Sequence, residues 1–413
     1  MPELVLCGRR LPGQAPSALL DSVDAALGAY SAPTLRRLGI ELLRGSPCDV
    51  PAHRLAPWLR FASQRLAGAL DLSLPMPADA LAGGDGELPL PLCELATRIR
   101  LVFWRRFVLR PPPAGSFTAL TDLQVIGVTM DGRELGRLVS SQCPRLRSLT
   151  ILVELVALCD EKIAGLVKTG KLEVAAPILE EISVFVATKQ AYIDAPKLEK
   201  AVWRNDAYDP LRHQFAVARR HIRSLWINQS SALLMRRFDT VEDLRLEISI
   251  PEGIEGYKSL GKETDKFPVC ETLGIVSWGN YHAFAPNILH FLKRFSPIRK
   301  LKLSVDPHYP ATIEPCNISS CPCQSHKVDN IIFNSLEDIE ICYFTGSYEQ
   351  ANFIGLLLSG CNLAKLKRVK IAMAQHYFSS RVKEVCEMIR RTCSSNCKVE
   401  LSVLTNEGRV PFS

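Results

Sequence analysis

FTALTDLQVIGVTMDGRELGRLVSSQCPRLRSLTIL, residues 117–152, holds one structural unit and the start of the next. Leu120, Leu123 and Val125 stand in the order apolar-x-x-apolar-x-apolar. A polar stretch with Asp131 and Gly132 follows, then helical spacing on Leu135, Leu138 and Val139. The helix is expected to end at Cys143-Pro144, because proline disfavours helical geometry in the residue before it. Leu146, Leu149 and Ile151 then restart the first pattern, about 26 residues after its previous copy. One strand–turn–helix unit cannot bury its apolar side alone, so it requires neighbours of the same kind.

Copies lie on both sides. Upstream, Leu19, Leu20, Val23, Ala26 and Leu27 have the spacing of a helix, and Leu35, Leu38 and Ile40 make the first strand core. His53 to Gln64 reads as a helix carrying Leu55, Trp58, Leu59 and Phe61, and Leu70, Leu72 and Leu74 alternate as in a strand. Residues 75–89 have loop composition. Ile99, Leu101 and Phe103 make the next strand, closed by Pro111-Pro112-Pro113.

Downstream of Ile151 the pattern predicts a helical piece to about Leu166, then strand cores at Leu179–Val184, Leu198–Trp203, Ile222–Ile227, Val241–Leu246, Cys270–Ile275, Ile298–Leu303, Leu336–Ile341 and Leu366–Ile371. A helix around Arg381 to Arg391 and a strand at Val399 to Leu404 end the series. The central anchors are spaced by roughly 19 to 38 residues over about a dozen copies, the signature of an irregular leucine-rich repeat. The expected fold is α/β: a leucine-rich-repeat solenoid, with a curved, mostly parallel sheet and helices and loops on its convex side. The short intervals from Ile182 to Leu244 leave room only for extended or single-turn returns.

The chain has 413 residues, 47% hydrophobic and 23% charged, which is ordinary globular composition. Its 14 cysteines form no compact disulfide framework, and Cys143, Cys159, Cys342 and Cys361 sit beside or inside apolar patterns. They read as reduced core thiols, which points to the cytoplasm or nucleus. The start MPELVLCGRR is not a signal peptide, and the apolar stretch Leu149–Cys159, interrupted by Glu154, is too short to span a bilayer. The net charge of +7 is dispersed in small knots such as Arg36-Arg37 and Arg236-Arg237. Nucleic-acid binders cluster such charge on one element, so neither nucleic acid nor membrane is an expected partner.

Two stretches bear on catalysis or cofactors. Gly256-Tyr-Lys-Ser-Leu-Gly261-Lys262 has phosphate-loop spacing, but Glu263 stands where Ser or Thr should hold magnesium. Cys316, Cys321, Cys323 and His326 are a legal zinc set, though Cys321-x-Cys323 is tighter than the usual ligand pair. No Ser-His-acid order and no Gly-x-Ser-x-Gly elbow occurs. The reading is a binding protein with no cofactor and no catalytic residue; a zinc- or nucleotide-binding protein is the competing one.

In the apolar-x-x-apolar-x-apolar pattern the anchors point inward and the residues between them alternate to the open face of the sheet. That face is predicted to carry Asp122, Gln124 and Ile126, then Phe185, Trp226, Arg245 and Lys302. Mixed charges and aromatics suit a protein surface, and Trp226 is the strongest anchor candidate.

Three stretches carry a resemblance. LTDLQVIGVTMDGRELGRLVSSQCPRLRSLTI, APILEEISVFVATKQAYIDAPKLEKAVW and the stretch from Cys321-Pro-Cys to Met373 resemble plant F-box proteins with leucine-rich repeats and an FBD-type ending, especially those of grasses. The resemblance implies a repeat region over 1–315 and FBD-like repeats over 316–413. It implies recruitment of a protein target to a cullin–RING ubiquitin ligase of the SCF type. The F-box module that precedes the repeats in such proteins has no counterpart, since a repeat strand is reached by Leu35. Docking to a Skp-type adaptor is therefore expected only if an upstream F-box exists. An F-box-less regulator, or a truncated gene product with no ligase role, is the alternative.

Overall fold

The computed structural model describes residues 2–8, 16–42, 50–75, 86–104, 107–157, 167–168, 170–204, 207–216, 219–249, 267–278, 285, 288–289, 292–293, 295, 298–305, 332–374, 380–405 and 408–411. It is an α/β protein with a large, mostly parallel sheet. The chain divides into two compact units, Met1–Arg219 and Arg220–Ser413. The boundary expected at 315–316 lies outside the described residues.

In the first unit the parallel strands are β1 (Glu3–Gly8), β2 (Leu35–Leu42), β3 (Leu66–Ser73), β5 (Arg98–Val102), β7 (Asp122–Asp131), β8 (Ser148–Ala157), β11 (Glu181–Val184) and β13 (Lys200–Trp203). Each pairs with the next in this order, all parallel. The register puts the anchors in rows. Leu38, Leu70, Ile99, Leu123, Leu149, Ile182 and Ala201 form one row; Ile40, Leu72, Leu101, Val125, Ile151, Val184 and Trp203 form the next. All are buried. This is why the apolar spacing recurs: each anchor is covered by the equivalent anchor of the neighbouring strand.

Local sequence starts each strand. Cys143-Pro144-Arg145-Leu146, Ala176-Pro177-Ile178-Leu179 and Ala195-Pro196-Lys197-Leu198 are turns closed by a bond from the fourth N–H to the first carbonyl, at 3.2, 3.1 and 3.0 Å. Proline presets the φ that the second turn position requires. The leucine then enters the core and the strand follows two residues later.

Helix α1 (Pro16–Ala29) and helix α2 (Ala52–Arg65) fill the first returns. The Trp58 indole is buried, and its Nε1–H donates to Asp24 Oδ1 of α1 at 2.6 Å. Helix α3 (Gly132–Arg137), capped by Asp131, continues into a π turn (Leu138–Gln142) and ends before Cys143, as expected. Between Ile182 and Ile222 the described returns are extended, as expected. β10 (Lys171–Ala175), β12 (Gln190–Asp194) and β14 (His213–Phe215) form a separate parallel sheet. Gln229–Arg237 is a 3-10 helix of nine residues, longer than the single turn expected of this return.

Two expectations are corrected. The helix predicted after Ile151 is a strand up to Ala157, because Val153–Val156 pair with Val128–Asp131 of β7; residues 158–166 lie outside the described residues, and β9 (Val167–Lys168) pairs antiparallel with the end of β8. Within the expected loop 75–89, β4 (Gly86–Pro89) pairs with β6 (Phe107–Arg110), burying Leu88 and Leu109.

In the second unit β15 (His221–Asn228), β16 (Thr240–Ser249), β17 (Val269–Trp278), β18 (Lys300–Val305), β19 (Asp338–Phe344), β20 (Arg368–Ala374) and β21 (Lys398–Thr405) pair successively and in parallel. Leu225, Leu244, Leu273, Leu301, Ile339 and Val369 form one buried row. Helix α4 (Tyr348–Gly360) and helix α5 (Ser380–Thr392) link the last strands. Ser347 caps α4 by accepting from Gln350 N at 3.3 Å. β22 (Gly408–Pro411) turns back antiparallel on β21 and covers its edge.

Candidate protein-binding face

In the first unit Asp122, Gln124 and Ile126 alternate with buried Leu123 and Val125, so all three stand on the opposite face of β7 and are half-buried there. Their cross-strand partners are Arg98, Arg100 and Val102 on β5, and Ser148, Thr150 and Leu152 on β8. Arg98 Nε donates to Asp122 Oδ2 at 3.1 Å, and Arg100 Nε to Gln124 Oε1 at 3.1 Å. Burial pushes the Asp122 carboxyl above its ordinary value; Arg98 opposes that, while Glu181 and Asp71 add to it. Phe185 follows the end of β11, and its N–H donates to Ile151 O at 2.9 Å. Arg204 covers the Phe185 ring, its guanidinium carbon 5.4 Å from the ring centre.

Val102, Ile126 and Leu152 make an apolar row across three strands, so Ile126 does not stand alone. Of the three, only Ile126 is among the face residues predicted from sequence. The same alternation, continued one position further along each strand, would have found them. Beside this row the backbone of Trp104 has φ 52°, and Gly127 has φ 73° at a register shift between Ile126 and Val128. A Cβ on Gly127 would lie 2.4 Å from Trp104 N, so only glycine fits that bulge.

In the second unit Trp226, Arg245, Gly274, Lys302, Glu340, Lys370 and Glu400 form the middle row of the face. The row before it is Ser224, Asp243, Thr272, Lys300, Asp338, Arg368 and Lys398. Trp226, Arg245 and Lys302 are half-buried, as alternation predicts. The Arg245 guanidinium carbon is 4.8 Å from the Trp226 ring centre. Lys302 Nζ is 3.8 Å from Asp243 Oδ2, a pair that reaches across β17. Neighbouring strands lie about 4.8 Å apart, so this reach crosses two spacings. It passes over the row position where Gly274 carries no side chain.

The buried thiols Cys93, Cys143, Cys270 and Cys361 are pushed up to about 12 by burial, which suits core packing and not nucleophilic work. Among the described residues no three His, Cys, Asp or Glu side chains stand together as a metal site. No helix among the described residues is long and apolar enough to cross a membrane. The Gly256–Lys262 loop and the Cys316–His326 cluster lie outside the described residues. The chain matches no family model, no curated protein and no solved structure.

Proposed function

We propose that the chain is a non-catalytic protein-interaction module. In this reading it is a leucine-rich-repeat solenoid that holds a protein target on its strand face. The observation that carries the reading is the register within each unit: anchor rows are buried while the alternate rows present Ile126 and Leu152 in the first unit, and paired charges with Trp226 in the second. The interleaved charges of both signs on the middle row disfavour a polyanion such as nucleic acid. Wide, mixed faces with aromatic anchors suit protein partners.

The resemblance to plant F-box proteins extends the proposal. The chain would act like the substrate-recognition part of an SCF-type ubiquitin ligase subunit, in the cytoplasm or nucleus. Contact with a Skp-type adaptor would require an F-box upstream. The test is co-purification on the immobilised chain, comparing wild type with Trp226→Ala and Phe185→Ala. A partner retained by wild type and lost from a folded face variant supports the reading. Partners indifferent to both substitutions would sink it.

A further inference from the structure

Every cation but one on the first two face rows of the second unit has a carboxylate partner. Lys300 pairs with Glu271 at 3.3 Å, Lys302 with Asp243 at 3.8 Å, Arg368 with Asp338 at 3.0 Å, Lys370 with Glu400 at 3.4 Å and Lys398 with Glu400 at 2.8 Å. The exception is Arg245. Among the described residues it has no carboxylate partner and no hydrogen-bond acceptor, only the Trp226 ring. Asp243 is the face residue two positions before it, and is drawn away to Lys302.

Two neighbours flank this side chain. The indole of Trp226 lies on one side. On the other is the bare backbone of Gly274, where a Cβ would be 3.4 Å from Arg245 Cγ and 3.6 Å from its Nε. An alanine Cβ at 274 would make ordinary van der Waals contact with the Arg245 side chain, whereas a branched side chain there would contest its space. A guanidinium stacked on a ring keeps its in-plane N–H donors for a ligand, and its fork matches a carboxylate. Ordering the side chain in advance also lowers the entropy lost on binding.

We infer that Arg245, held between Trp226 and Gly274, is the carboxylate-recognising group of this face, and that the partner presents an Asp or Glu side chain to it. The inference rests on the proposed protein-binding reading and names the chemistry of the partner. A carboxylate there completes the one unpaired charge of these rows, whereas a basic side chain would add to it.

The experiment selects binders from a displayed library of random peptides on the intact chain. Selected peptides are then resynthesised with each Asp changed to Asn and each Glu to Gln. One acidic position is expected to matter, with neutralisation weakening binding about tenfold or more. On Arg245→Gln that peptide pair should bind equally, and Gly274→Val should reduce the difference. Arg245→Lys should not restore it, because an ammonium lacks the planar fork.

An acid-to-amide effect that persists unchanged on Arg245→Gln overturns the inference. So does a selection that yields no acidic peptide or no binder. Peptides that need Trp226 but no acid would leave the protein-binding reading standing and remove this inference alone. Peptides insensitive to Trp226, Arg245 and Lys302 would remove both.

Discussion

Arg245 and Trp226 are direct register partners on β16 and β15, and the Arg245 guanidinium carbon stands 4.8 Å from the Trp226 ring centre. Stacking of this kind on an exposed face is worth about 0.5–1 kcal/mol. A double-mutant cycle with Trp226→Leu and Arg245→Met should return a coupling of about that size in urea unfolding. A coupling of zero would mean that the two side chains do not order each other.

The anchor rows and the face rows should respond differently to truncation. Leu149 is fully buried, in register with Leu123 and Ile182, whereas Thr150 beside it is half-buried on the opposite face. Leu149→Ala should cost about 2–5 kcal/mol, and Thr150→Ala well under about 1 kcal/mol. Equal losses would contradict the assigned alternation.

Gly127 should tolerate no side chain. Its φ is 73°, and an added Cβ would meet the backbone of Trp104 at 2.4 Å. Left-handed geometry alone costs a non-glycine residue about 1–2 kcal/mol, before any shift of the Trp104 backbone is counted. Gly127→Ala should therefore lower unfolding stability by more than about 2 kcal/mol. Thermal denaturation beside Gly28→Ala, where nothing lies within 4 Å of the added Cβ, provides the control.

Much of this was legible in sequence, for a physical reason. Strand cores such as Leu123-x-Val125 and Leu149-x-Ile151 are read from period-two burial, which a strand enforces locally. What escaped depends on distant pairing. Leu152 to Ala157 is rich in helix formers, yet pairing with β7 past the Gly127 bulge makes it strand. Phe107–Arg110 and Lys171–Ala175 are short, and each finds its partner only in the fold, on β4 and β12 respectively. Alternation placed Arg245 and Trp226 on one face. It could not show that Asp243 pairs with Lys302 and leaves Arg245 on the indole.

The charge ladder on the second unit carries a pH dependence of known sign. Hydrogen bonds from Lys367, then Arg299, hold the Glu337 carboxyl below its ordinary value. A carboxylate lowered in the folded state contributes stability that is present above its unfolded value and lost as pH falls through the folded one. Glu337→Gln should therefore lose stability at neutral pH and show a smaller difference from wild type at acid pH. Because the half-buried carboxylate and its Lys367 and Arg299 partners stand at the protein surface, added salt should shrink that difference. A gap that widens on acidification would reverse the assignment.

Thiol chemistry should separate core cysteines from the exposed one. Cys7 is exposed, while Cys93, Cys143 and Cys270 are buried and pushed up to about 12 by desolvation. Alkylation of the folded chain, followed by peptide mass spectrometry, should label Cys7 rapidly and the other three only on unfolding. Fast labelling of Cys143 in the native state would show that the Cys143–Leu146 turn is not packed as described.

The proposed binding of a protein target on the strand face has a direct test. The most direct measurement takes one co-purified partner and titrates it calorimetrically against folded variants on two sides of the second unit. Trp226→Ala and Arg245→Ala alter the face; Arg391→Glu alters the outer surface of α5, where the side chain is 82% exposed. The expected result is a loss of about tenfold or more in affinity for each face variant and no change for Arg391→Glu. Affinity lost through Arg391→Glu and retained by both face variants would contradict the account.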